Sequence, residues 1–166
     1  DEVDGRFADD ATVARPHDIT PFATVTQFRT ELSFKSQEPL TGYPAVQAYL
    51  TSILPNQEQM LAIKIHGTFP SLKLRAPQKQ AEPYVILTEA LKTQAIFTPS
   101  NIRGTMVGFR LPSYLGTSVT SGYHFHFVSD DHRTAGHVLD VNTAGVKVDV
   151  TTLERFDLTS EPADFD

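Results

Sequence analysis

Three histidines carry the residue types and spacing that could hold a reactive ion. His124 and His126 lie in Gly122-Tyr123-His124-Phe125-His126-Phe127-Val128, and His137 follows in Ala135-Gly136-His137-Val138-Leu139-Asp140. The first run alternates aromatic rings with imidazoles. Successive side chains of a β-strand point to opposite faces, so His124 and His126 share one face while Tyr123, Phe125 and Phe127 share the other. The polar stretch from Ser129 to Gly136 reads as a hairpin loop, and Val138-Leu139-Asp140-Val141 reads as the returning strand. That return brings His137 beside the first two. Three neutral imidazoles with positions left open suit a catalytic zinc or similar divalent ion, not a closed structural site. A lone His-x-His would equally fit a half-exposed strand with surface histidines. The third histidine after a turn tips the reading to metal.

The elements that must position these residues follow from the periodicity of the rest of the chain. Val3, Phe7 and Val13 fit a short hairpin. Pro21 to Phe28 and Glu31 to Lys35 alternate as strands, rich in β-branched and aromatic residues. Between Pro44 and Leu54 the apolar residues recur at three-to-four spacing, which predicts an amphipathic helix with a structural role. Leu61 to Phe69 and Leu72 to Arg75 read as a hairpin turning at Pro70-Ser71. His66 falls on its polar face, and Arg75 stands at its end. A second helical stripe runs from Leu87 to Phe97, broken by Pro99 to Asn101. Thr105 to Leu111 and Val146 to Val150 alternate as strands, and Phe156 and Leu158 could add a last pairing. Strands with two helices inserted predict an α+β fold of two packed mixed or antiparallel sheet units. The break near Pro99 divides them into residues 1–99, with both helices, and residues 100–166, with the histidines. Both units can share one core.

Composition narrows the function classes. A length of 166 residues and 40% hydrophobic content describe a globular chain with a sizeable core. The net charge of −6, with no Lys/Arg cluster, argues against a nucleic-acid surface. No apolar run approaches the roughly 20 residues that span a bilayer, so no membrane partner is expected. The absence of cysteine excludes disulfides, thiolate metal sites and cysteine nucleophiles. The chain starts at Asp1 without a signal peptide, which reads as a processed or incomplete form. A soluble protein, cytoplasmic or exported, fits all of this.

Three blocks carry a family resemblance. They are Leu61-Ala62-Ile63-Lys64-Ile65-His66-Gly67-Thr68-Phe69 running on to Arg75; Asn101-Ile102-Arg103-Gly104-Thr105-Met106-Val107-Gly108-Phe109 with Pro112; and the histidine block from Gly122 to Asp140. Pro21-Phe22-Ala23 and the Lys92-Thr93-Gln94 to Phe97 stretch fit as well. On these residues the chain resembles the α-acetolactate decarboxylases. The resemblance implies zinc-dependent decarboxylation of 2-acetolactate, a 2-hydroxy-3-keto acid, to acetoin. It implies that His124, His126 and His137 hold the zinc, that Arg75 is the active-site arginine, and that the protein is a homodimer. It also places two active-site glutamates of the family before Asp1 and after Asp166.

The chemistry explains the residue types. Loss of CO2 from such an acid leaves electrons on the adjacent carbonyl, and a divalent ion bound by the hydroxyl and keto oxygens stabilises that charge. Arg75 offers a fixed cation to the substrate carboxylate. Its alternative is an ordinary ion pair. Asp130 and Asp131 read as turn acids, and Asp140 could support a ligand imidazole from behind. Zinc is the expected metal, although three imidazoles also suit nickel, copper or iron. Two other readings stay open: a cupin-like metal protein, and a catalytically impaired metal-binding domain.

Overall fold

The computed structural model describes residues 3–5, 11–13, 23–54, 56–78, 83–118 and 121–158. In chain order the strands and helices are β1 (Val3–Gly5), β2 (Ala11–Val13), β3 (Leu32–Ser36), β4 (Leu40–Thr41), α1 (Tyr43–Ile53), β5 (Met60–Ala76), α2 (Leu87–Ala90), β6 (Ala95–Phe97), β7 (Ser100–Leu111), β8 (Gly122–Ser129), β9 (Ala135–Thr143) and β10 (Val146–Leu153). β1 and β2 form the expected small hairpin, with Val3 opposite Val13; Phe7 lies outside the described residues. The other strands form one eight-stranded sheet in the order β3-β10-β5-β7-β8-β9-β4, with β6 attached to β5. Each described pairing in it is antiparallel. Strands from both sides of residue 99 belong to this sheet. The fold is mostly β with few helices, within the expected α+β class.

β5 organises the sheet. Its first half pairs with β10 on one side and β7 on the other, and its last residues pair with β9 and β6. Because β9 also pairs with β8, and β8 with β7, the path β5-β7-β8-β9 returns to β5 and closes a ring. The hairpin expected at Pro70-Ser71 is therefore one 17-residue strand. Pro70 has no register partner on either side, and it lies where β5 exchanges β10 for β9. A proline without an N–H costs least at such a gap in the ladder.

Inside the ring Ile63, Ile65, Phe69, Leu72, Leu74, Met106, Phe125, Phe127, Val138 and Val148 are all buried. Phe69 meets Phe127 edge to face, with ring centres 5.3 Å apart. α1 covers one side of this core with Val46 and Leu50. Its first turn has no side-chain cap of its own. Instead Tyr43 N donates to Asp140 Oδ1 and Gly42 N donates to Asn142 Oδ1, each at 2.8 Å. Strand β9 thus supplies the acceptors that orphan helix donors need.

Three further expectations are corrected by these contacts. The described part of the Pro21–Phe28 segment, from Ala23, forms no strand. It leads to Arg29, whose N–H bonds Thr151 Oγ1 at 3.2 Å. The second helical stripe shrinks to α2 and one 3-10 turn over Leu91–Thr93. Ile96 and Phe97 leave it to pair with Arg75 and Leu74, because ladder bonds to β5 outweigh the weak helical preference of a short segment. Phe156 and Leu158 lie outside any strand. Among the described residues no helix is long and apolar enough to cross a membrane.

Candidate metal centre

β8 forms as its alternation demands. Phe125 and Phe127 turn into the ring and are fully buried, which leaves His124 and His126 on the outer face. Gly108 lies opposite Phe125 on the neighbouring strand β7. A Cβ there would overlap the carbonyl oxygen of His124, so only a glycine lets β8 approach this closely. On the other side β9 returns with His137 directly opposite His126, as the hairpin reading expected.

Strand register then assembles the site. Residues directly opposite one another in antiparallel strands project from the same face. Val107 lies opposite His126, His126 opposite His137, His137 opposite Arg75, and Arg75 opposite Ile96. One row across five strand segments therefore carries two of the imidazoles and the arginine. His124, two residues from His126, supplies the third imidazole on that face. A bulge at Leu139 adjusts this arrangement: Lys73 pairs with Asp140, while Leu74 already pairs with Val138. Bulges of this kind re-aim side chains beside functional sites.

The three imidazoles converge. The Nε2 atoms of His124 and His126 are 3.1 Å apart, and one ring nitrogen from each histidine falls within 4.8 Å of the others. Ring centres are 4.7 Å apart for His124 and His137 and 5.3 Å for His126 and His137. Zinc–nitrogen bonds of about 2.0–2.1 Å put tetrahedral donors about 3.4 Å apart, close to the spacing of the His124 and His126 Nε2 atoms. Loss of hydration lowers all three pKa values. Burial and then the Arg75 cation lower His124. Burial, His124 and Arg75 bring His126 down to about 4; burial, Arg75 and the two other imidazoles bring His137 down to about 3. Imidazoles held neutral are metal-ready ligands. The donor set fits a divalent transition ion, and it is the one such cluster among the described residues.

The nearby acids are occupied elsewhere. Asp131 accepts from the Ser129 hydroxyl and the Arg133 N–H, an Asx-type turn that holds its carboxyl below the usual range. Asp130 pairs with Arg103, Oδ2 to Nε at 3.1 Å. Asp140 accepts from Tyr43 N at the start of α1, so its Oδ1 supports the helix where the sequence offered it as support for a ligand imidazole. His66 stays apart from the cluster, as its polar-face reading required. Its Nε2 accepts from Arg103 Nη2 at 2.9 Å, and its Nδ1 lies 3.0 Å from Thr105 Oγ1.

Sequence reasoning missed three contributors. Tyr43 donates its hydroxyl to the carbonyl of Tyr123 at 3.1 Å, tying α1 to the histidine strand; burial pushes its pKa up to about 12, which keeps that donor protonated. Val107 and Ile96 flank the polar row as exposed apolar residues, a placement that only the register reveals.

Comparison with known proteins places the sequence and the fold in one family. The sequence model of the alpha-acetolactate decarboxylase family matches residues 5–166. The alpha-acetolactate decarboxylase of Bacillus subtilis strain 168 is 37% identical over 130 residues, which is 78% of this chain and 51% of that protein. That of Methanosarcina mazei is 33% identical over 141 residues, 84% of this chain and 49% of that protein. The crystal structure of acetolactate decarboxylase from Bacillus subtilis subspecies spizizenii superposes with a TM-score of 0.87 at 34% identity, covering 95% of this chain and 68% of that one. The chain spans about half the length of these curated relatives. With the family model, the relatives' sequences and the fold in agreement, this chain belongs to the alpha-acetolactate decarboxylase family.

Proposed function

We propose that this chain carries the metal-binding core of an acetolactate decarboxylase, holding zinc on His124, His126 and His137 and converting 2-acetolactate to acetoin and CO2. The observation that supports this most is the row His126–His137–Arg75, in which a fixed cation adjoins converging neutral imidazoles in a chain of this family. A divalent ion bound there supplies Lewis acidity for the charge that builds on the substrate oxygens as CO2 leaves. Neutral imidazoles leave that ion's charge uncancelled for an anionic substrate. The Arg75 guanidinium holds the substrate carboxylate and orients the bond that breaks. The proton that replaces CO2 comes, in this reading, from a family glutamate outside these 166 residues. The homodimer implied by the family belongs to the same reading and is measured by sedimentation.

The engagement of Asp130, Asp131 and Asp140 in other contacts favours a second reading for the chain by itself: a metal-holding domain without its own proton donor. Acetoin and CO2 release from racemic 2-acetolactate decides between them, using mass-checked protein with and without chelator. The expected result is turnover that chelator abolishes and zinc restores. One zinc per chain without turnover establishes the second reading, and failure to bind any divalent metal overturns both.

A further inference from the structure

We infer that Val107 sets the length of the alkyl group that the site accepts on the substrate's carbonyl carbon, an inference that rests on the decarboxylase reading above. Val107 lies on β7 directly opposite His126, so its side chain shares the outer face with the imidazoles. It is 42% exposed, an apolar side chain left outside a well-filled core while its row neighbours Lys64, His126, His137 and Arg75 are all polar. Its register partner on the other side, Lys64, directs its ammonium to the Phe28 ring, 5.1 Å from the ring centre.

The order of residues along the row matches the order of groups along the substrate. Val107 and Arg75 stand on opposite sides of the imidazoles, their backbones three strand spacings or about 14 Å apart along the sheet, so an acid with a four-carbon chain meets both where the Arg75 side chain reaches toward the imidazoles. A 2-hydroxy-3-keto acid with its carboxylate at Arg75 lays its hydroxyl and keto oxygens over the imidazoles. Its acyl methyl group then points toward Val107. A β-branched side chain has one stiff χ1, so Val107 presents a fixed wall where a longer, flexible residue would yield. Because the side chain is outside the core, shortening it leaves no internal cavity.

The test uses zinc-loaded full chain and two inert diols, 2,3-dihydroxy-2-methylbutanoate and its homologue 2,3-dihydroxy-2-methylpentanoate. Neither can lose CO2, because the carbonyl that would accept the electrons is reduced. Calorimetry gives both Kd values for the wild type, Val107→Ala and Val107→Ile, with bound zinc counted for each. One methylene against an apolar wall is worth roughly tenfold or more, so the wild type is expected to favour the shorter diol by about tenfold. Val107→Ala is expected to bring the ratio within about threefold, and Val107→Ile to widen it. An unchanged ratio in both variants at one zinc per chain overturns the inference, and wild-type turnover of 2-acetolactate in the same preparation leaves the decarboxylase reading standing. Binding of neither diol, together with no turnover, overturns both.

Discussion

Two histidine clusters occupy the outer face of the same sheet, and they are built to opposite ends. Around His66, every polar atom is answered: Arg103 donates to Nε2, Thr105 Oγ1 faces Nδ1, and Asp130 pairs with Arg103. Around His124, His126 and His137, imidazole faces imidazole, and the charge that reaches them is the Arg75 cation. The first cluster is closed by its neighbours. The second keeps basic nitrogens aimed at one point, with their protons driven off by lost hydration and a nearby cation. A histidine thus becomes a ligand by what surrounds it: three imidazoles that meet chiefly one another can turn their nitrogens to a shared ion, whereas one bonded on both nitrogens to other groups cannot.

The sharpest break in this comparison is ligand deletion. His126→Ala is expected to weaken divalent metal binding by more than about 100-fold, beyond the range for losing an outer partner. His66→Ala is expected to keep one metal per chain and to change stability by only about 1 kcal/mol. Calorimetry with zinc, alongside urea unfolding, measures both, and equal metal loss in the two variants would undo the distinction.

A smaller effect separates the glycines beneath each cluster. A Cβ on Gly108 would overlap the His124 carbonyl oxygen, and one on Gly104 would overlap that of Val128. Each Gly→Ala change is expected to cost about 1–3 kcal/mol through overpacking. Metal affinity should fall in Gly108→Ala and hold in Gly104→Ala, since only the first displaces a ligand's own backbone.

A third contrast is acid sensitivity of the metal-free protein. Folding lowers His126 to about 4 and His137 to about 3, against about 6.5 in the unfolded chain. The unfolded state therefore takes up these protons first, and stability falls as pH drops from about 6.5 toward 4 and then 3. Thermal unfolding of metal-free protein between pH 7 and 4.5 should show this decline. It should be shallower in the His126→Gln, His137→Gln double variant, and an identical slope would show that the imidazoles are not the groups responsible.

Much of the site was legible in advance because it depends on local periodicity. The alternation from Gly122 to Val128 sorts imidazoles from phenyl rings wherever the strand packs, and the short polar loop returns His137 beside them. The helix over Tyr43–Ile53 was legible for the same reason. The hairpin expected at Pro70 was not realised, since a proline marks a missing donor and not by itself a reversal; the donor was simply not needed where β5 changes partners. Ile96 and Phe97 read as a helix by spacing and became a strand because β5 offered them an edge. Asp140 looked like support for a ligand, yet the helix start lying beside it claimed its oxygen.

The sequence by itself determined which residues share a face within one strand, since the two-residue period belongs to the backbone and needs no neighbour. It determined the paired imidazoles, the nearby third one and the phenyl rings that anchor them. Only the tertiary structure decided that Arg75, 49 residues before His124, stands opposite His137, and that Val107 and Ile96 flank the row. Those placements depend on which strands exchange hydrogen bonds and in what register. That choice is made by the closing of the ring and the bulge at Leu139, where distant segments compete for the same edge and local pattern carries no information about the winner.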